Sequence, residues 1–245
     1  DRESKQFEYF SPTKALRFDK QDSKFVKYDN TDNLELITIQ PNHIQTASVY
    51  DGTKNIDFLN PWYCELTGLY NLWMEENADP NEIVGIEHYR RYFVKNNSTD
   101  LMDEEYINNI LQDHDVICQK FKFGNNTPLG WWGRCLKPYI FDFIDNLEDR
   151  DFANWYSKEL KSCHEFCRCN MFICKREIMN KYCECLFQTM AKMDPKSFTR
   201  RKRIMGFIGE YFMGFWFRYY GYKIAYKLSL EYDKSLKKVI RRSAV

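Results

Sequence analysis

Apolar residues recur in two rhythms along the chain, and the alternation of those rhythms sets the expected architecture. From Trp62 to Glu76, Leu66, Leu69, Tyr70 and Trp73 fall at three- and four-residue intervals, the spacing of one buried helical face. Pro61 stands just before them at a first helical position, where a missing N–H costs nothing. Similar spacing predicts helices over Leu101–Leu111, Tyr139–Leu147, Phe152–Glu165, Arg176–Met193 and about Ile204–Tyr220. Short apolar runs at Glu35–Gln40, Ile83–Ile86, Asp115–Gln119 and Asn170–Cys174 read as strands. Residues 1–35 read as polar and irregular. Asp51–Asn60 reads as a loop opening on Asp-Gly, and Phe121–Arg134 as a long loop carrying Trp131 and Trp132. Short strands separated by helices predict an α/β sandwich around a mainly parallel central sheet flanked by helices. The expected division is one catalytic-sized domain over 1–217 and a basic aromatic tail or helix over 218–245.

Composition narrows the class. The chain of 245 residues is 44% hydrophobic and 17% aromatic, which excludes disorder for most of its length. Lys and Arg number 36 against 35 acidic residues, a net charge of +1 that argues against a dedicated nucleic-acid binder. The charge is unevenly placed. Residues 196–245 hold 13 basic and 3 acidic groups, so the rest holds 23 and 32. Such a basic, aromatic end suits contact with an anionic membrane face, each nearby cation adding about 1 kcal/mol; a solvated end explains it equally. No apolar run reaches the roughly 18 residues of a membrane span. The expected location is therefore cytoplasmic, with contact at the inner membrane face through that end. Of 9 cysteines, six cluster between Cys163 and Cys185. Reduced buried thiols account for them, and a zinc site on Cys163, His164, Cys167 and Cys169 is the sharper alternative, without the paired C-x2-C spacing of strong zinc motifs.

The candidate chemistry gathers at Ile83–Phe93, where a strand ends in His88, Tyr89, Arg90 and Arg91. Ligands of open α/β sheets bind beyond the strands' carboxyl ends, and forked guanidinium groups pair phosphate oxygens bidentately. A nucleoside diphosphate is the ligand that such a strand end would suit; a structural ion pair plus a solvated arginine is the plain alternative. Glu210 lies inside the apolar block Gly206–Phe217, where a carboxylate must be paired or neutral, and so is a candidate general base. An internal pair with Arg203 is the alternative. Glu65, at a helix N-terminus, is explained by the dipole alone. The carboxylate pairs Asp113/Asp115 and Asp149/Asp151 do not stand at the carboxyl end of a strand, and no glycine-rich phosphate loop or zinc-protease motif is present.

Four stretches together resemble one bacterial family: Asn60–Tyr70 (NPWYCELTGLY), Gly85–Phe93 (GIEHYRRYF), Cys169–Lys175 (CNMFICK) and Gly206–Glu210 (GFIGE). The family is an uncharacterised-domain group of capsular or exopolysaccharide glycosyltransferases, and the likeness runs from about Thr13 to Phe217. It implies a GT-A-like glycosyltransferase fold and transfer of a sugar from a nucleotide-diphosphate donor, UDP-galactofuranose or another UDP-hexose, to a glycan or lipid-linked acceptor. On that resemblance, Arg90, Arg91, Tyr89, Thr13, Lys14, Asn55, Asn60 and Glu65 are expected at the donor diphosphate. Glu210 and His88 are expected in catalysis, and Asn170, Trp131, Trp132 and Arg203 at the acceptor or sugar, with simple packing the alternative for the two tryptophans. The arginines stand where a metal-binding D-x-D usually stands, so the expectation is inverting transfer with no required metal or other cofactor. The competing readings are a non-catalytic nucleotide-sugar or carbohydrate-binding domain, and a membrane-surface or nucleic-acid interaction protein using the basic end.

Overall fold

The computed structural model describes residues 7–10, 15–19, 24–28, 34–38, 56–88, 91–96, 100–193, 201–233 and 238–242. A strongly mixed sheet forms its centre. The N-terminal strands are β1 (Phe7–Phe10), β2 (Ala15–Asp19), β3 (Lys24–Tyr28) and β4 (Leu34–Thr38). Next come β5 (Ile83–His88), β6 (Arg91–Phe93), β7 (Val116–Lys122) and β8 (Glu165–Lys175). β9 (Ile224–Tyr226), β10 (Ser229–Asp233) and β11 (Lys238–Arg242) complete the set. The helices are α1 (Asn60–Tyr63), α2 (Glu65–Trp73), α3 (Glu104–Leu111), α4 (Pro128–Asp145), α5 (Arg150–Ser162), α6 (Arg176–Lys192) and α7 (Ile204–Tyr219).

The α/β class stands, but the expected mainly parallel sheet does not. Among the described residues only β7 and β9 pair in parallel; β5 pairs antiparallel with β1, β6 and β8, and β7 with β8. The reason lies in the connections. A single helix between two strands carries the chain back for a parallel return. Between β7 and β8 there are two helices joined by a short turn, so the chain is carried back twice and β8 enters antiparallel.

Three further expectations change. The stretch 1–35 contributes strands β1 to β3. The expected loop 121–134 is instead the end of β7, a short turn and the start of α4, whose first turn is capped by Thr127 Oγ1 accepting from Gly130 N at 3.1 Å. The segment expected as a tail or helix after residue 217 holds the end of α7 and then β9, β10 and β11, with β10 pairing β6.

Strand alternation divides the core. Val116, Cys118, Phe172 and Cys174 face a large core with α2, α4, α5, α6 and α7, while Ile117, Met171 and Ile173 face a smaller one closed by Ile107 of α3. α7 lies directly on β8 because Gly214 carries no side chain: a Cβ there would stand 2.6 Å from Cys167 Sγ and 2.9 Å from Cys167 N. Buried Arg176 ties three elements, bonding Glu82 at 2.9 Å, Glu75 at 2.9 Å and the Leu72 carbonyl at 2.8 Å. Among the described residues no helix is long and apolar enough to cross a membrane.

Candidate functional site

The site is built on an irregularity in β8. Cys118 of β7 pairs Phe172, and Lys120 pairs Cys167, so the single residue Gln119 faces Arg168, Cys169, Asn170 and Met171. β8 absorbs the excess by turning Cys169 (φ 68°) and Asn170 (φ 53°) into the left-handed region. Two more residues with positive φ lie against this bulge. Cys64 (φ 52°) begins α2 and Arg203 (φ 68°) begins α7, and each such residue costs on the order of 1–3 kcal/mol. The conformation of Cys64 is braced: its carbonyl accepts from Thr67 Oγ1 at 2.8 Å and Asn60 Nδ2 at 3.2 Å. The Arg203 N–H is tied to the Pro61 carbonyl at 2.8 Å.

Asn170 joins these pieces. Its Nδ2 donates to Glu65 Oε1 at 2.8 Å and to the Gly206 carbonyl at 2.9 Å, linking the starts of α2 and α7 through the bulge. Asn170 and Glu65 are both buried. Glu210 stands one turn along α7 from Gly206 and is half-buried. Burial pushes the Cys169 thiol up to about 12; Glu210 and Glu65 add to that rise, while Arg91 and Arg168 oppose it. At Arg203 partial desolvation works against the charge, but Cys64, Glu65 and Glu210 outweigh it and hold the guanidinium more firmly protonated. Two carboxylates and three guanidinium groups therefore share one field around the bulge. Arg91 is held there by β6, whose Phe93 N–H donates to Glu87 Oε1 at 2.6 Å.

The expected site residues distribute unevenly. Glu65, Arg91, Asn170, Arg203 and Glu210 converge. His88 ends β5, with its backbone paired to Arg91. Asn60 turns its amide to the α1–α2 junction, bonding Thr67 Oγ1 at 3.1 Å as well as the Cys64 carbonyl. Thr13, Lys14, Asn55, Tyr89 and Arg90 lie outside the described residues. Trp132 lies in α4, and Trp131 beside it is 51% exposed, with ring contacts to Phe121 and Phe123. Arg168 covers the Phe121 ring at 5.1 Å, so an aromatic and cationic band runs from Trp131 to the bulge.

The strand-end argument that singled out Arg91 does not carry over, because it applies to parallel sheets and β5 has antiparallel neighbours. The bulge supplies the concentration of function instead. Sequence reasoning missed Arg168 and Gln119, placed Cys169 in a candidate zinc site and left Cys64 inside a motif without a role. Only Gln119 carried a signal, as an amide in an apolar strand; it is buried with both amide atoms unpartnered among the described residues.

Cys163, His164, Cys167 and Cys169 do not assemble: among the described residues no group of three or more His, Cys, Asp or Glu is placed to hold a metal. Cys163 Sγ donates to the Glu165 carbonyl at 2.8 Å, and His164 Nδ1 lies 2.8 Å from the Asn126 carbonyl. Eight cysteines among the described residues are free thiols. Asp115 accepts from Lys223 N at 2.7 Å, and Asp149 caps α5 through Phe152 N at 2.8 Å, both structural duties.

An α/β fold with a strained, charged cluster around a bulge in an interior strand of its sheet is the class that these features define. The chain belongs to the DUF4422 family, a domain of unknown function, whose profile matches residues 29–221. No curated protein matches it. Among solved structures it is similar to the WbbM bifunctional glycosyltransferase in its apo form, with 21% identity and a TM-score of 0.57 over 73% of this chain. The chain spans 38% of that protein's length. The likeness establishes a fold shared with a glycosyltransferase.

Proposed function

We propose that this protein transfers a sugar from a nucleoside-diphosphate donor to a glycan acceptor. The observation that carries this reading is the convergence of Glu65, Glu210, Arg91 and Arg203 on the Asn170 bulge, in a fold shared with a glycosyltransferase. Arg90 and Arg91 would bind the diphosphate, His88 and Tyr89 would flank it, and a UDP-hexose such as UDP-galactofuranose is the donor. Glu210 takes the proton of the acceptor hydroxyl. The acceptor oxygen bonds to the anomeric carbon as the carbon–oxygen bond to the diphosphate breaks, which inverts the centre. The diphosphate leaves with the electron pair, and the guanidinium charge stabilises it in the role a metal ion fills elsewhere. Trp131, half-exposed against the Phe121 ring that Arg168 covers, offers an aromatic face to the acceptor ring.

A thermal-shift panel of nucleotide sugars, with Mn²⁺ or with chelator, tests the binding half. Donor stabilisation in the wild type that is lost in Arg91→Ala and indifferent to Mn²⁺ is expected. Glu210→Gln should lower turnover by about 10²–10⁴-fold while leaving donor stabilisation intact. Donor binding without transfer or hydrolysis would instead favour the non-catalytic reading.

A further inference from the structure

We propose that Asn170 is the positioning residue of this site, fixing the carboxylates Glu65 and Glu210 relative to one another. The activity measurements below rest on the glycosyl-transfer reading. Asn170 meets Glu65 directly through its amide. It meets Glu210 through the helix: the Gly206 carbonyl that it bonds is the α-helical acceptor for the N–H four residues on, that of Glu210. One side chain thereby sets the starts of two helices that arrive from distant parts of the sequence.

The residue type follows from the hydrogen count. Nδ2 carries two hydrogens for two acceptors, a carboxylate and a carbonyl; Asp would bring none when ionised, and Ser one. Oδ1 is left buried without a partner among the described residues, in the hollow beside Gly209. A Cβ on Gly209 would stand 3.1 Å from that oxygen and 2.9 Å from Leu66 Cδ1. Asn is also among the non-glycine residues that adopt the left-handed backbone most readily, so it suits the φ of 53° that aims this amide. Both amide hydrogens are engaged by the protein, which distinguishes this role from direct donation to a sugar hydroxyl.

The test uses the full chain with Asn170→Ala, Asn170→Ser, Asn170→Asp and Glu65→Gln/Asn170→Asp. Misplaced carboxylates should lower kcat by about 100-fold in Asn170→Ala, with donor KM changed by less than about threefold. The acid limb of the pH–rate profile, which Glu210 sets, should stay in place, because Asn170 gives no hydrogen to the Glu210 carboxylate. Asn170→Ser, which keeps one donor, should fall between Ala and the wild type and serves if Asn170→Ala fails to fold. Asn170→Asp should be worse than Ala, since it sets a second carboxylate against Glu65. The double variant should regain Tm through a Gln-to-Asp bond but not turnover. An Asn170→Ala enzyme with wild-type kcat, or Asn170→Asp better tolerated than Ala, overturns the proposal. A reaction-free arm separates it from the transfer reading. Carboxyl ¹³C NMR of the unliganded protein, with Glu65 assigned through Glu65→Gln, should show Glu65 titrating higher in Asn170→Ala and Asn170→Ser. An unchanged Glu65 titration sinks the clamp whatever the protein catalyses, whereas a wild type inert toward every nucleotide sugar sinks the transfer reading alone.

Discussion

At the scale of single residues, burial rather than partner charge governs most of the ionisable groups in the core. It pushes the Cys169 thiol up to about 12 and that of Cys185 to about 11, and raises Cys118, Cys174 and Cys183 as well. An unfolded thiol titrates near 8.5. Above that pH the unfolded chain sheds protons that the native state keeps, so stability falls as pH rises, by up to about 1.4 kcal/mol per pH unit for each such thiol. Below about pH 8 these groups leave stability flat. Urea midpoints at pH 7, 8.5 and 10 should therefore be level at first and then drop, and an unchanged midpoint at pH 10 would contradict the burial of these thiols. Glu65, Arg91, Asn170, Arg203 and Glu210 were legible in the sequence because each is a polar residue in or beside an apolar block or a recognisable motif. Arg168 was not, and the roles of Cys64 and Cys169 were not, since these come from backbone twist and from neighbours brought in by the fold. Sequence also pointed Asn170 at a substrate, whereas its amide hydrogens serve Glu65 and Gly206.

At the scale of elements, helices were read more truly than strands. The 3.6-residue rhythm placed α6 and α7 almost to the residue, because a long buried stripe repeats its signal. The sheet's direction was not legible. It depends on whether one helix or two separates consecutive strands, and Phe121–Arg134, rich in Gly, Asn and Pro, hid the first turns of α4. The packing of α7 on β8 gives a sharp expectation at this scale. Gly214→Ala puts a methyl into the Cys167 backbone, which cannot yield as a side chain end can. Overpacking of that kind typically costs about 1–3 kcal/mol, so chemical denaturation should show a lower midpoint with an unchanged m-value. A midpoint equal to the wild type would mean that the helix and strand are further apart than described. A Cβ on Gly206, by contrast, would stand 3.1 Å from the Cys64 side chain and 3.3 Å from Tyr63 O, so a methyl there presses on the strained start of α2.

Across the whole molecule, the Arg176 junction unites α2, β5 and α6. Arg176 is 2% exposed, and its two carboxylate partners lie nearer solvent. Removing the guanidinium strands the Leu72 carbonyl and the less exposed Glu82, a loss of about 3–5 kcal/mol by the usual reckoning for a broken buried pair, trimmed by the exposure of Glu75. Arg176→Leu should thus lower Tm in a single cooperative transition. Two separate transitions would show instead that α2 and α6 belong to independently melting units.

The pairing of β5 and β6 carries a consequence for anyone cutting this chain. β1 comes from the first ten residues and zips onto β5, while β10, well over a hundred positions downstream, zips onto β6 beside Arg91. The two motif strands are thus sutured by segments from opposite ends of the fold's strand order. Deleting β1 or β10 would unmoor the arginine strand even though every residue of the motif remained.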